Sequence, residues 1–221
     1  MAKFIGLDGY RGGWVAAWID DRGAHDFDYS SDLERLLSIP HRRAMIDIPI
    51  GLPDTGYRNC DLQARAWLGP SVFPGARRGL WTFASQAAAN EHYWSREGRG
   101  KGISCQLWNI GRKIKEVDDI ITPRRQRVLC ETHPELIFWT RNGRRPLKKK
   151  KSAMGRNRRI AILKKMGFKS IEDMLEWRFG TGIGRDDLID ACACAIAARD
   201  ARSVIGEAWR DARGLRMEMH F

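Results

Sequence analysis

The chain has 221 residues, 43% hydrophobic and 30% charged, with a formal net charge of +12. That length accommodates one domain, or one domain with a sizeable insertion, and it buries a core without disulfide or metal staples. The composition excludes disordered and collagen-like classes, no window approaches the ~18 unbroken apolar residues of a membrane span, and the start MAKFIGLDGYRGGW lacks the features of a secretory signal.

The five cysteines form no CxxC pair. Reduced thiols in a cytoplasmic protein are therefore expected, rather than a disulfide frame or a zinc site.

Two apolar runs, KFIGLD at 3–8 and WVAAWI at 14–19, flank GYRGG and predict an antiparallel hairpin whose first strand ends near Asp8. A third strand is expected within 24–29. Ser31 to Glu34 reads as a capping box for a short helix through Leu37. AMIDIPIGLP is an apolar run with Asp47 inside it, the pattern of a buried central strand stopped by proline.

The span from about 53 to 127 lacks strand patterning. NCDLQARAWLG reads as a helix capped by Asn59 and stopped at Gly69-Pro70. Ile103, Leu107, Ile110, Ile114 and Val117 mark one amphipathic helix. Strand character returns at 127–132. Helices follow over Ser152 to Met166, closed by Gly167, and from Ser170 to about Arg178. RDDLIDACACAIAARDA is a small-residue helix suited to close packing on a sheet. The order β-β-β-α-β, helical insertion, β-α-α is that of an α/β protein with one mixed sheet and helices on its faces.

Charge is unevenly placed. Residues 136–171 hold 13 Lys/Arg and neither Asp nor Glu, leaving 26 basic against 27 acidic residues elsewhere. Such a block reads first as a contact for a polyanion, nucleic acid before an anionic surface, and otherwise as a solvated loop and helix face.

Acids fall at the ends of buried-looking strands: Asp8, Asp47 and Glu131, with Asp186, Asp187 and Asp190 on the last helix. Acids inside apolar runs are costly unless paired or metal-bound. Glu131, His133 and Glu135 share one face if their strand continues, and both Asp187/Asp190 and Asp186/Asp190 share a helix face. Carboxylates converging without enough cations call for Mg²⁺ or Mn²⁺, and two such ions about 4 Å apart hydrolyse phosphodiesters. Each acid also has a bland role. Asp8 suits an Asp-Gly turn, Asp186 or Asp187 a helix N-cap, and His133 a turn before Pro134.

The blocks GLDGYRGGWVAAW, DIPIGLPD, RNCDLQARAWLG, SVFP, KIKEVD, ETHPE and RDDLIDACACA occur in that order. Together they resemble the family described as predicted RNase H-like nucleases, domain-of-unknown-function family 429, over most of residues 4–200. The wider resemblance is to RuvC-type resolvases.

It implies a single RNase H-like domain over 1–221, with a five-stranded mixed sheet and a helical insertion at 53–126 between the fourth and fifth strands. By position it implies a metal and catalytic set of Asp8, Asp47, Glu131 and Asp187, with Asp190 or Asp186 beside them. Arg11, Lys113 and Asp118 lie in family blocks and are substrate-side candidates, as is His133.

The first functional expectation is a metal-dependent nuclease whose Lys148, Lys149, Lys150, Lys151 and Arg158 hold the nucleic-acid backbone. Trp81, Tyr93, Trp94 and Trp108 are candidate stacking platforms, or core and lid packing. The alternatives are a non-catalytic nucleic-acid-binding protein, or a nucleotide-binding phosphotransferase that needs a homodimer to close its cleft.

Overall fold

In a computed structural model of the chain, which describes residues 3–206 and 209–221, the two apolar runs pair antiparallel as β1 (Lys3–Tyr10) and β2 (Gly13–Asp20). β3 (His25–Ser30) pairs antiparallel with β2. α1 (Leu33–Leu37) then leads to β4 (Arg43–Ile46), which lies parallel to β1. β5 (Leu129–Glu131) is parallel to β4, so the mixed five-stranded sheet runs β3-β2-β1-β4-β5.

Two compact units form. The first comprises Met1–Asp47, Val128–Ser203 and His220–Phe221. The second comprises Ile48–Arg127 and Val204–Met219.

In the first unit, α6 (Pro134–Arg141), α7 (Ala153–Lys165), α8 (Ile171–Trp177) and α9 (Arg185–Asp200) follow β5. α9 packs on β1, β2 and β4 and touches α6 and α7. Every residue from Leu188 to Ala198 is buried, as expected of a helix enclosed on all sides. Small residues permit the approach. A Cβ on Gly6 of β1 would lie 2.0 Å from the Ala191 carbonyl and 2.0 Å from the Ala195 nitrogen. Phe4, Val15, Ala17, Ile19, Met45 and Cys130 share the core with α9, which identifies the sheet face that the helix covers.

The second unit holds α2 (Asn59–Leu68), α3 (Gln86–Glu97), α4 (Cys105–Asn109) and α5 (Gly111–Ile120). Its interior carries paired charges. Arg58 and Asp61 are both buried and bond to each other. Arg77 stacks over Tyr93 at 4.1 Å and donates to Glu97 at 2.7 Å. Arg78 bridges Asp118 at 2.6 Å and Asp211 at 2.5 Å. Asp211 also accepts from the Leu52 and Leu215 amides, tying the returning 204–219 segment to the rest of the unit.

Four local expectations are corrected. The cap of α1 is Asp32, whose side chain accepts from the Glu34 amide, rather than Ser31. Asn59 is the first helical residue of α2, and Arg58 is its cap without a side-chain bond. The stripe Ile103 to Val117 is split between α4 and α5. Ile110 leaves helical geometry there (φ −93°, ψ 3°), although Leu107, Ile114 and Val117 are all buried as the stripe predicts. The fifth strand stops at Glu131 because Pro134 begins α6, so Glu131, His133 and Glu135 do not share a strand face. No helix among the described residues is long and apolar enough to cross a membrane.

Candidate active site

Strand alternation aims Asp8 and Asp47 at one place. Phe4, Gly6 and Asp8 alternate onto the α9 face of β1, and Met45 and Asp47 onto the same face at the end of β4. The Asp47 amide donates to the Leu7 carbonyl at 3.1 Å, continuing the ladder, so the two acids sit on adjacent strands about 4.8 Å apart. The Asp8 carboxylate accepts from the Gly9 amide at 2.7 Å. The first turns of α9 add Asp187, which accepts from the Gly184 amide at 2.9 Å, and Asp190 one turn later.

The four carboxylates feel one another. Asp8 is held well above the ordinary carboxylate range, first by burial and then by Asp47, Asp190 and Asp187. Burial pushes Asp47 up to about 7, with Lys150 opposing and Glu135 reinforcing the shift. Burial likewise pushes Asp190 up to about 7, against the pull of Lys150. Asp187 is raised, again chiefly by burial.

One lysine pairs with this charge from the exposed side. The Lys150 ammonium lies 3.1 Å from Asp190 Oδ2, and its own proton is held more tightly mainly because of that carboxylate. Asp190 Oδ1 is buried and has no hydrogen-bond partner. Glu135 is neutralised separately by Arg159, which also donates to the Lys148 and Gly155 carbonyls and so anchors the lysine run.

Beside the acids lies an open cleft of about 500 Å³. Lys150, Lys151, Arg156, Arg178 and Arg185 line it together with Asp186 and Asp187. Lys150 and Asp187 thus belong to both the acid cluster and the cleft.

The oxygen chemistry of the donors suits a hard divalent cation, while no three of these carboxylates hold ligand atoms within 4.8 Å of one another. Asp8, Asp47, Asp187 and Asp190 offer carboxylate oxygens, which Mg²⁺ and Mn²⁺ prefer, and the orphaned Asp190 oxygen is an open acceptor. Cys194 is close enough to feel Asp47 and Asp8, but burial and those carboxylates hold its thiol well above the usual range.

Other predicted residues lie elsewhere. Ile46 and Glu131 are register partners on parallel strands, so the buried Glu131 side chain follows Ile46 to the face opposite Asp8 and Asp47. His133 caps α6, its ring Nδ1 accepting from the Glu135 amide at 3.2 Å. Arg11 is exposed at the β1–β2 turn.

Lys113 sits on α5, 3.5 Å from Glu116, and Asp118 is held by Arg78 and Arg213. Lys148, Lys149 and Lys151 are exposed, and Arg158 donates to Asn142. Of the insertion aromatics, Tyr93 is buried and Trp94 is exposed.

Sequence reasoning, which assigned the Lys and Arg of 144–159 to phosphate contacts and so included Arg156, missed Arg178 and Arg185 as cleft residues and the pairing of Lys150 with Asp190. The one available signal was the position of Arg185, directly before the acids of the last helix.

The chain belongs to the family described as Protein of unknown function (DUF429), whose model matches residues 6–210. No curated protein and no solved structure matches it.

Proposed function

We propose that this member of the family is a divalent-metal-dependent nuclease of the RNase H-like kind. One observation carries the reading. Asp8, Asp47, Asp187 and Asp190, from β1, the end of β4 and α9, lie near enough that the other three raise Asp8, Lys150 pairs with Asp190, and a basic cleft shares Asp187 and Lys150. The acids occupy the first strand, the end of the fourth and the last long helix, the places that the resemblance to RuvC-type proteins assigns to them.

Asp8, Asp47, Asp187 and Asp190 would hold the cation. When bound, a divalent ion supplies Lewis acidity toward a phosphodiester and acidifies water. The chain supplies the rest. Lys151, Arg156 and Arg185 hold backbone phosphates and place one beside the acids. The Gly9 and Gly184 amides orient Asp8 and Asp187. Without metal, Asp47 and Asp190 hold protons up to about 7, and those protons would leave on binding the cation.

The test is cleavage of single-stranded RNA and DNA, duplex, hybrid and four-way junction with Mg²⁺ or Mn²⁺. The expected outcome is metal-dependent cleavage that Asp8→Asn abolishes while binding survives. Binding without cleavage under any divalent metal establishes the non-catalytic reading instead. One observation favours that second reading: Lys150 already gives Asp190 a cation partner.

A further inference from the structure

The segment between α8 and α9 presents what a basic cleft alone does not need. Trp177 and Phe179 are each 61% exposed, although large aromatic side chains are ordinarily well buried. Between them in sequence, Arg178 lines the cleft, and its guanidinium lies 4.5 Å from the Phe179 ring centroid.

The segment is pre-organised. Arg178 Nη1 donates to the Ile183 carbonyl at 3.0 Å, the Thr181 hydroxyl donates to the Arg178 carbonyl at 2.5 Å, and the Ile183 amide donates back to that hydroxyl at 3.2 Å. The cleft has a cationic excess even after Lys150 is assigned to Asp190. Lys151, Arg156, Arg178 and Arg185 face only Asp186 and Asp187, and Asp187 already accepts from a backbone amide.

We propose that this surface binds single-stranded nucleic acid, with unpaired bases stacking on Trp177 and Phe179 and the backbone phosphates lying in the Lys151–Arg156–Arg185 cleft. Three features select this occupant. Charge complementarity calls for a polyanion. The exposed Phe179 ring, against the cleft's Arg178, and the exposed Trp177 two residues before it match the faces of unstacked bases, which a duplex hides within its own stack. The cleft is open, so a continuous strand can pass through it. The inference deepens the nuclease reading by naming the substrate class, and it rests on that reading only for what happens to the strand afterwards.

The experiment measures binding in EDTA, where cleavage plays no part. Fluorescently labelled 12-mers of single-stranded DNA, single-stranded RNA, duplex DNA and abasic DNA are titrated at low salt against the full chain, a Trp177→Ala/Phe179→Ala variant and Lys151→Ala. Thermal melts confirm that the variants fold; all three side chains are exposed, so wild-type melting is expected.

The wild-type protein should prefer based over abasic single strands about fivefold or more, the scale of one base–aromatic stack. The aromatic variant should lose that preference. Lys151→Ala should keep it while the salt slope falls by about 0.7 for the lost phosphate contact. The RNA and DNA arms decide which sugar is preferred.

Equal affinity for based and abasic strands, or a preference that survives removal of both rings, overturns the proposal. Tighter binding of duplex than of single strand does the same. A base-dependent preference without cleavage in the metal assay leaves this inference standing and removes the nuclease reading. Cleavage of duplex unaffected by the aromatic variant does the reverse.

Discussion

Each unit contains a group of charges with buried members, and the two groups are balanced differently. In the second unit, Asp118 and Asp211 are answered by Arg78 and Arg213, and Asp61 by Arg58. In the first, Asp8, Asp47, Asp187 and Asp190 have Lys150, which pairs with Asp190, and the weaker pull of Arg178 on Asp187, since Arg159 is committed to Glu135.

An unpartnered oxygen does not distinguish the groups, because Asp118 Oδ1 lacks a partner as Asp190 Oδ1 does. Balance of charge does. A balanced buried network holds a structure together, and removing one partner exposes the cost of desolvating the other. An unbalanced group of carboxylates is costly by itself, and on the proposed reading a cation from outside would complete it.

The comparison breaks most visibly at Arg58→Met. That change strands the buried Asp61 carboxylate and should cost about 3–5 kcal/mol, read from urea unfolding, with no effect on metal-induced stabilisation. If the metal-induced gain also vanished, the two groups would not be independent.

Asp190→Asn should do the opposite. Stability without metal should hold or rise as repulsion is relieved, while cleavage falls about 100-fold or more, the scale of losing one contact to developing charge. Asp118→Asn serves as its control and should leave cleavage per folded molecule unchanged.

Lys150→Met sharpens the contrast. Loss of this cation should destabilise the metal-free protein by roughly 1–2 kcal/mol, discounted because the lysine is partly exposed. It should also enlarge the rise in melting temperature on adding Mn²⁺, since the ion no longer competes with the ammonium. An unchanged metal response would place the ion away from Asp190.

The gentlest perturbation is pH. Asp47 and Asp190 move from 3.8 to about 7 on folding, so between those values the folded state holds more protons than the unfolded one. Stability of the metal-free protein should therefore fall as pH rises from about 4 to about 7 and level off above. Saturating Mg²⁺ should flatten the profile, and Asp47→Asn should reduce its slope. A metal-free profile that rises across this window would contradict the raised carboxyls.

Much of this architecture was legible because it is local. The hairpin follows from two apolar runs around GYRGG, and the close packing of α9 from its Ala/Cys composition against Gly6. Asp47 stood out because an acid in MIDIPI is costly unless it has a purpose. The helix over 103–117 was legible as a buried face but not as a break, since the stripe records which side is apolar and says nothing of the geometry at Ile110.

Which acids meet was decided by tertiary structure. Glu131 has the same local credentials as Asp8 and Asp47, a carboxylate ending an apolar strand. Its pairing with Ile46 turns it to the other face, and in a strand a shift of one residue reverses every side chain. Lys150 is one lysine in a run of four. The run is anchored at Lys148 by Arg159 and at Lys149 by Ser152, and so held it brings Lys150 to Asp190. Sequence by itself determined which side chains are too costly to bury without a reason. Register, and the loop anchored over the helix, determined which of them share one, because both depend on residues far away in the chain.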